Sequence, residues 1–168
     1  MSKVLVLYSA PGPRPGIESW AERLRGCGHE VWLAAPERLG AELAELPGEI
    51  VYAGFSTGAA SAGHCAATRP GARGAVLIGG VAPLAELGVE SWPERVPAQV
   101  HFSAEDSQVS RAEVGAFEHA LDAARARLEI HVYPGSDHLL VDPGSAGHDP
   151  ASAELLLARV LEFLHRCG

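Results

Sequence analysis

The sequence contains few cysteines, few basic residues and no long apolar run, and each scarcity excludes a class of protein. Its three cysteines lie far apart among 168 residues, in a number and spacing that fit neither a disulfide framework nor a zinc site. Thirteen basic residues against twenty-one acidic ones give a formal net charge of −8, which argues against a surface that binds nucleic acid. The apolar stretch VLVLYSA near the N-terminus is too short to cross a membrane. We therefore expect a cytoplasmic protein that acts away from membranes.

Patterns for binding nucleotides or metals are also missing. The glycine-rich stretch GPRPG, residues 12–16, lacks the Lys-Ser/Thr ending of a P-loop, and its prolines have no amide hydrogen to donate. His64 and Cys65 are neighbours on a predicted helix, where adjacent side chains do not face each other. The sequence therefore predicts neither a nucleotide site nor a metal or other cofactor.

Apolar, β-rich runs alternate with helical patterns along the whole chain. The runs that predict strands are Lys3–Tyr8, Glu30–Ala35, Glu49–Phe55, Gly74–Gly80, Ala98–Ala104 and Leu128–Tyr133. Such alternation is typical of a mostly parallel sheet with helices on both faces, so we expect a compact α/β fold of about six strands. The length fits one domain over residues 1–168. Residues 81–97 have room for only a turn or two of helix, so no large lid is expected.

The pentapeptide GFSTG, residues 54–58, lies between a predicted strand and a predicted helix. Its glycines permit the sharp turn on which a nucleophilic serine is presented, and the amide of Thr57 would face a developing oxyanion. Ligands of such sheets bind at the carboxyl ends of the strands, so partners of Ser56 are expected after later strands. Asp106 follows the fifth strand and His138 the sixth, which is the chain order of a serine hydrolase triad.

Several other residues offer alternatives. Glu105 competes with its neighbour as the triad acid, since spacing alone cannot separate adjacent positions. Asp137 is expected to be a turn residue. His101 and His131 lie within strands, where a core or edge position explains them, and His148 is expected at the surface.

Five segments from Glu49 onward carry a family resemblance: YAGFSTG, RPGARGAVL, VPAQVHFSAEDS, YPGSDHLLVDP and HDPASAELLLARVLEFL. They resemble the dienelactone hydrolase family of α/β-hydrolases, particularly its short bacterial members that use serine. The resemblance implies esterase or lactonase chemistry with a triad of Ser56, Asp106 and His138. It also implies a second oxyanion donor in the loop after the first strand, by position the backbone amide of Ala10.

The sequence departs from the family pattern in three places. Dienelactone hydrolases proper use a cysteine where this chain has Ser56, and a glutamate that interacts with the nucleophile is matched here by Ser9. The segment before the nucleophile strand is also shorter, reduced to residues 36–48. These departures weaken the case for dienelactone itself as substrate. The expected substrate is a small ester or lactone in a shallow site, with Arg14 and Trp92 as candidate contacts and with surface and packing roles as their alternatives.

Two other functions fit the same pattern. A protein of this fold can use the triad for a non-hydrolytic biosynthetic step, such as a lyase, isomerase or cyclase reaction. A binding or regulatory domain is a further alternative, although such a domain has no need of three triad residues together. Exposed edge strands of a six-stranded sheet would favour a homodimer.

Overall fold

Six parallel strands form an open sheet in this protein, which the computed structural model describes for residues 1–9 and 12–168. The strands are β1 (Lys3–Leu7), β2 (Glu30–Ala34), β3 (Ile50–Phe55), β4 (Gly74–Ile78), β5 (Ala98–Ser103) and β6 (Leu128–Tyr133). The α-helices are α1 (Pro15–Gly26), α2 (Leu39–Glu45), α3 (Thr57–Thr68), α4 (Arg111–Ala123) and α5 (Pro150–Cys167). The strand order across the sheet is β2-β1-β3-β4-β5-β6, and all neighbouring pairs are parallel. The predicted parallel α/β architecture of about six strands is confirmed.

The central strands are buried because helices cover both faces of the sheet. Every residue of β3, β4 and β5 is buried, and β3 and β4 are continuous apolar runs, as expected for strands covered on both sides. The edge strands β2 and β6 are only partly buried, and Val132 in β6 remains 47% exposed. Because all the strands are parallel, their carboxyl ends lie along one edge of the sheet, and the loops after β3, β5 and β6 start at that edge.

Two apolar layers lie between the sheet and its helices. α1 and α5 pack on one face, where Trp20 meets Phe55 edge to face with ring centroids 5.2 Å apart. α3 and α4 pack on the other face, where Trp92 and Phe117 make a similar contact at 5.3 Å. The buried face of α3 consists of glycine, alanine and Cys65, which lets this helix approach the sheet closely. In the described part of the chain, none of the helices combines the length and apolar character needed to cross a bilayer.

Two connections differ in regularity from the elements around them. The pattern of residues 36–46 predicts one short helix, but the segment forms a 3-10 helix at Pro36–Arg38 followed by the seven-residue α2. Residues 79–97, all of them described, run between β4 and β5 as turns and loop.

Candidate active site

Ser56 lies on a sharp turn between β3 and α3. Its backbone angles are φ 56° and ψ −120°, a conformation that non-glycine residues rarely adopt and that is found at strained functional sites. The amide of Ser56 donates to the carbonyl of Ile78 at 2.8 Å, which ties the turn to the end of β4. Because α3 begins at the next residue, Ser56 stands at the carboxyl edge of the sheet and at the N-terminal end of a helix.

Asp106, His138 and Ser56 are joined by a continuous chain of hydrogen bonds. His138 Nδ1 lies 2.6 Å from Asp106 Oδ2, and His138 Nε2 lies 2.9 Å from Ser56 Oγ. Since an ionised carboxylate can only accept, Nδ1 carries the ring proton and Nε2 accepts from the Ser56 hydroxyl. Asp106 Oδ1 accepts from the amide of Gln108 at 2.9 Å, and the Asp106 side chain is only 2% exposed. The acid that meets His138 is therefore Asp106, whereas its neighbour Glu105 is exposed.

A glycine at the end of β4 makes room for His138. Gly79 has a φ of 79°, and a Cβ added there would lie 2.9 Å from the His138 carbonyl oxygen and 3.2 Å from its ring carbon Cε1. Position 79 therefore requires glycine both for its backbone conformation and for lack of space. The histidine side chain is 16% exposed, so it remains accessible from one side.

The start of α3 offers an amide to a developing negative charge. Among the described residues, none accepts a hydrogen bond from the Thr57 amide, which lies at the positive end of the helix dipole directly after Ser56. The Thr57 hydroxyl lies 2.6 Å from the Ser9 hydroxyl, a contact that joins the loop after β1 to the start of α3. Ala10, the expected second amide donor, lies outside the described residues.

A cavity of about 730 Å³ opens beside the serine and the histidine. Its other lining residues combine apolar groups with a few polar ones and are Ser9, Gly12, Pro13, Arg14, Pro15, Ile17, Phe55, Gln108, Leu139 and Ser145. Arg14 Nε lies 2.8 Å from Oδ2 of Asp142, a carboxylate that is only 5% exposed. This buried carboxylate holds the guanidinium of Arg14 at the edge of the cavity.

Trp92 is absent from the described residues that line this cavity. Its side chain is buried at 2% exposure, its indole N–H donates to the carbonyl of Val96 at 2.7 Å, and its ring packs against Phe117. In this structure Trp92 therefore packs in the core, and its indole does not line the cavity. The physical reason is that the loop after β4 folds onto the face of the sheet covered by α3 and α4.

Several residues of the site were not found from the sequence. Gln108 lines the cavity and lies two residues after Asp106 in the same turn. Its closeness in sequence to the triad acid could have indicated a place in the site. Ser145 lines it from the long loop after β6, whose course the sequence does not specify. His148 is not the predicted surface residue, because its ring is only 13% exposed and pairs with Asp137 at 3.2 Å. Asp137 is predicted to be a turn residue, but its carboxylate is buried and pairs with His148.

Cys65 lies nine residues after Ser56 in sequence but is buried inside α3 at 1% exposure. Burial raises the pKa of its thiol to about 11, so the thiol stays protonated at neutral pH and is a poor nucleophile. The ring of the adjacent His64 instead meets the carbonyl of Leu87 at 2.7 Å. Within residues 1–9 and 12–168, no three His, Cys, Asp or Glu side chains lie together as metal ligands would.

The fold and the site together define the class of protein. A parallel sheet that presents a serine on a strained strand-to-helix turn, beside a histidine and an aspartate from later strand ends, is that of an α/β-hydrolase. The sequence profile of the Dienelactone hydrolase family matches residues 33–168. The chain belongs to the dienelactone hydrolase family and is a carboxylic ester hydrolase, which confirms the resemblance seen in its sequence segments.

Solved structures of other proteins share this fold. A dienelactone hydrolase-like promiscuous phosphotriesterase from metagenomic libraries is 15% identical, with a TM-score of 0.74 over 99% of this chain and 87% of that one. The esterase Est2 from the Planctomycetes species Thermogutta terrifontis, with propionate bound, is 18% identical, with a TM-score of 0.70 over 99% of this chain and 84% of that one. At such identities the likeness establishes the fold alone. Among curated proteins, none matches the sequence at a significant level.

Proposed function

We propose that the protein hydrolyses small carboxylic esters or lactones with Ser56 as nucleophile, His138 as general base and Asp106 as the group that orients His138. The proposal is carried by the unbroken hydrogen-bond chain from Asp106 Oδ2 through the His138 ring to Ser56 Oγ, with distances of 2.6 and 2.9 Å. A serine hydroxyl is a weak nucleophile at neutral pH, and such a chain supplies the base that it needs. Membership of the dienelactone hydrolase family supports the same chemistry.

Acylation forms a covalent bond to the serine. Ser56 Oγ attacks the ester carbonyl carbon while its proton moves to His138 Nε2, and the carbonyl electron pair shifts onto oxygen. The Thr57 amide donates to this oxyanion, together with a second amide that the family resemblance assigns to Ala10. When the tetrahedral intermediate collapses, the bond to the alcohol oxygen breaks and His138 returns its proton to the leaving alkoxide.

Deacylation repeats these steps with water. Water attacks the acyl carbon and gives a proton to His138 Nε2, and the second tetrahedral intermediate expels Ser56, which takes that proton back. Asp106 stays ionised and accepts from Nδ1–H throughout, which favours the imidazolium that forms in each half-reaction. A lactone keeps its alcohol attached to the acyl group, so its product is a hydroxy acid.

We expect substrates with short acyl groups. The largely apolar wall of the cavity suits an ester, and residues 79–97 form turns and loop and so add no lid helix that would enclose a long acyl chain. The neighbouring Thermogutta terrifontis esterase is described with propionate and with butyrate bound, which supports short acyl groups here as well. We expect 4-nitrophenyl acetate, propionate and butyrate to be hydrolysed with a higher kcat/KM than 4-nitrophenyl octanoate.

Covalent labelling tests the nucleophile directly. The wild type and the variants Ser56→Ala and His138→Ala are incubated with a fluorophosphonate or with paraoxon, and their intact masses are recorded. Paraoxon is a suitable probe because the Thermogutta terrifontis esterase 2 is described as phosphorylated by it. We expect one label per wild-type chain on Ser56, none on Ser56→Ala, and very slow labelling of His138→Ala.

The same experiment separates hydrolysis from its alternatives. A folded wild type that takes up no label would overturn the proposal of an activated serine. Labelled protein that turns over no ester or lactone in a broad panel would overturn hydrolysis and would favour a non-hydrolytic reaction at the same triad. Circular dichroism spectra of every variant, compared with the wild type, distinguish loss of labelling from loss of fold.

A further inference from the structure

Asp137, the residue directly before His138, has a buried carboxylate that contacts neither Ser56 nor Asp106. The side chain is only 3% exposed, and it accepts from the Ser145 hydroxyl at 2.6 Å and from His148 Nδ1 at 3.2 Å. Its main-chain carbonyl also accepts from the buried hydroxyl of Ser103 at 2.5 Å. Asp137 is thus tied to the end of β5 by its backbone and to the far part of its own loop by its side chain.

Burial of this carboxylate needs a reason. Removing a charge from water is costly unless hydrogen bonds replace the lost hydration, and both oxygens of Asp137 have a partner. Both partners come from the same loop, eight and eleven residues further along the chain. The hydrogen bonds therefore hold residues 137–148 as a closed loop. This loop begins next to His138 and includes Ser145, which lines the cavity.

The backbone within this closed loop of residues 137–148 is strained. Leu140 has a φ of 63°, although it is not a glycine, and the Val141 amide donates to the Leu139 carbonyl at 2.7 Å in a three-residue turn. The side chain of Leu140 is nevertheless 1% exposed and belongs to the core between α1, α5 and the sheet. A strained turn two residues after His138 persists only when the surrounding contacts determine it, and the Asp137 hydrogen bonds are such contacts.

We propose that Asp137 is a positioning residue of the active site, whose carboxylate ties Ser145 and His148 to the residue before His138 and thereby holds the His138 ring against Ser56. The inference rests on the proposed function. Asp137 acts through the loop, because its side chain meets neither the nucleophile nor the cavity wall other than through Ser145. The ring nitrogens of His138 reach Ser56 and Asp106 only while the loop keeps its course.

The test compares labelling rates in Asp137→Ala, Asp137→Asn and wild type with a fluorophosphonate, at a temperature where all are folded. Alanine leaves the Ser145 and His148 donors without a partner, and a displacement of a catalytic group by about 1 Å costs up to roughly 10²-fold, so we expect a 10- to 100-fold slower rate. Asparagine keeps an acceptor oxygen, and its amide can donate to the Ser145 hydroxyl, so this variant should keep most of the rate. With 4-nitrophenyl butyrate, the alanine variant should lose more in kcat than it gains in KM.

A control and a spectroscopic signature separate positioning from general destabilisation. Ser2→Ala removes a buried hydrogen bond of 2.7 Å to the Leu164 carbonyl at the opposite edge of the sheet, so it should lower the melting temperature without slowing the labelling. The proton shared between His138 Nδ1 and Asp106 Oδ2 should give a low-field proton resonance in the wild type and in Ser2→Ala. We expect this resonance to broaden or vanish in Asp137→Ala.

The outcomes distinguish this inference from the proposed function. A wild type that is not labelled overturns both. A labelled wild type with equal labelling rates and an unchanged low-field resonance in Asp137→Ala overturns the positioning role alone. If Asp137→Ala does not fold, the labelling rates of His148→Ala and Asp137→Asn decide the question. A slower rate in His148→Ala, beside a near-normal rate in Asp137→Asn, supports the positioning role of Asp137. Wild-type labelling rates in both variants overturn it.

Discussion

Gly54 packs directly against the carbonyl group of Gly58, so that a Cβ added to Gly54 would lie 2.1 Å from that oxygen. Gly58 in turn packs against β1, where an added Cβ would lie 2.4 Å from the Leu7 carbonyl oxygen. The two glycines of GFSTG therefore bring β1, β3 and the start of α3 into backbone contact. Ser56 is held on its strained turn by this packing.

Alanine at either glycine should displace the serine. We expect Gly54→Ala and Gly58→Ala to lower the free energy of unfolding by about 1–3 kcal/mol and to abolish fluorophosphonate labelling, because backbone atoms must move to admit a methyl group. Gly115→Ala in α4 is the matched control: nothing lies within 4 Å of an added Cβ, so it should raise stability by about 0.5–1 kcal/mol. Urea unfolding and labelling of the three variants check this. Wild-type stability and labelling in Gly54→Ala would contradict it.

The identity of the triad acid can be tested with two adjacent variants. Asp106→Asn keeps the shape of the side chain but offers an amide to His138 Nδ1, which favours the wrong tautomer, so kcat should fall by about 10⁴-fold. Glu105→Gln changes an exposed side chain and should leave kcat unchanged. Steady-state hydrolysis of 4-nitrophenyl acetate measures both. Equal losses in the two variants would mean that Asp106 has no special role.

The parts of the site that the sequence predicts are those set by regular structure. Apolar runs define the strands, and the carboxyl ends of parallel strands share one edge, so Ser56, Asp106 and His138 could be placed together from their positions after strands. Trp92 and Asp137 could not be assigned in the same way. Their environments depend on the course of two long loops, which is decided by tertiary contacts rather than by local periodicity.

Arg14 is expected to affect the binding of anionic substrates more than that of neutral ones. Its guanidinium is held at the cavity edge by Asp142, and a hydrogen bond to a charged group contributes about 1.5–3 kcal/mol, so Arg14→Gln should raise KM for 4-nitrophenyl hemisuccinate roughly tenfold or more. KM for 4-nitrophenyl butyrate should change little. Arg73→Gln, whose arginine pairs with Glu49 at the opposite edge of the sheet, controls for overall charge. Equal effects of Arg14→Gln on the two esters would exclude a direct charge contact.

Trp92 should matter for stability and not for substrate binding. Trp92→Phe leaves the buried carbonyl of Val96 without its indole donor, and an unsatisfied buried acceptor costs about 1–3 kcal/mol. The edge-to-face contact with Phe117 can be kept by the smaller ring. Urea unfolding should therefore show the loss, while KM for 4-nitrophenyl butyrate stays at the wild-type value. A raised KM in a fully folded variant would contradict this prediction and would indicate that Trp92 contacts the substrate.

The pH dependence of stability is expected to be governed in part by a buried histidine in β5. His101 is fully buried, with its two ring nitrogens 2.9 Å from the Tyr133 hydroxyl and 3.0 Å from Gln99 Oε1. Burial lowers the pKa of His101 well below its usual range, and the charges of His131 and Arg159 lower it further. The folded protein therefore keeps this ring neutral at a pH where the unfolded chain, with a pKa of about 6.5, binds a proton.

The sign of the effect follows from this difference in proton binding. Below about pH 6.5 the unfolded chain binds more protons than the folded protein, so the free energy of unfolding should fall as the pH falls, with a slope of up to about 1.4 kcal/mol per pH unit for this group. The contribution is complete at higher pH, where His101 is neutral in both states. His101→Gln removes the titrating ring and should flatten the slope between pH 7.5 and 5.5 by about half a proton on average, rising toward one proton at pH 5.5. Trp92→Phe, destabilised without loss of a titrating group, should keep the wild-type slope in the same urea series. Parallel slopes in wild type and His101→Gln would mean that other groups, such as His29 and His131, whose pKa values burial also lowers, account for the whole pH dependence.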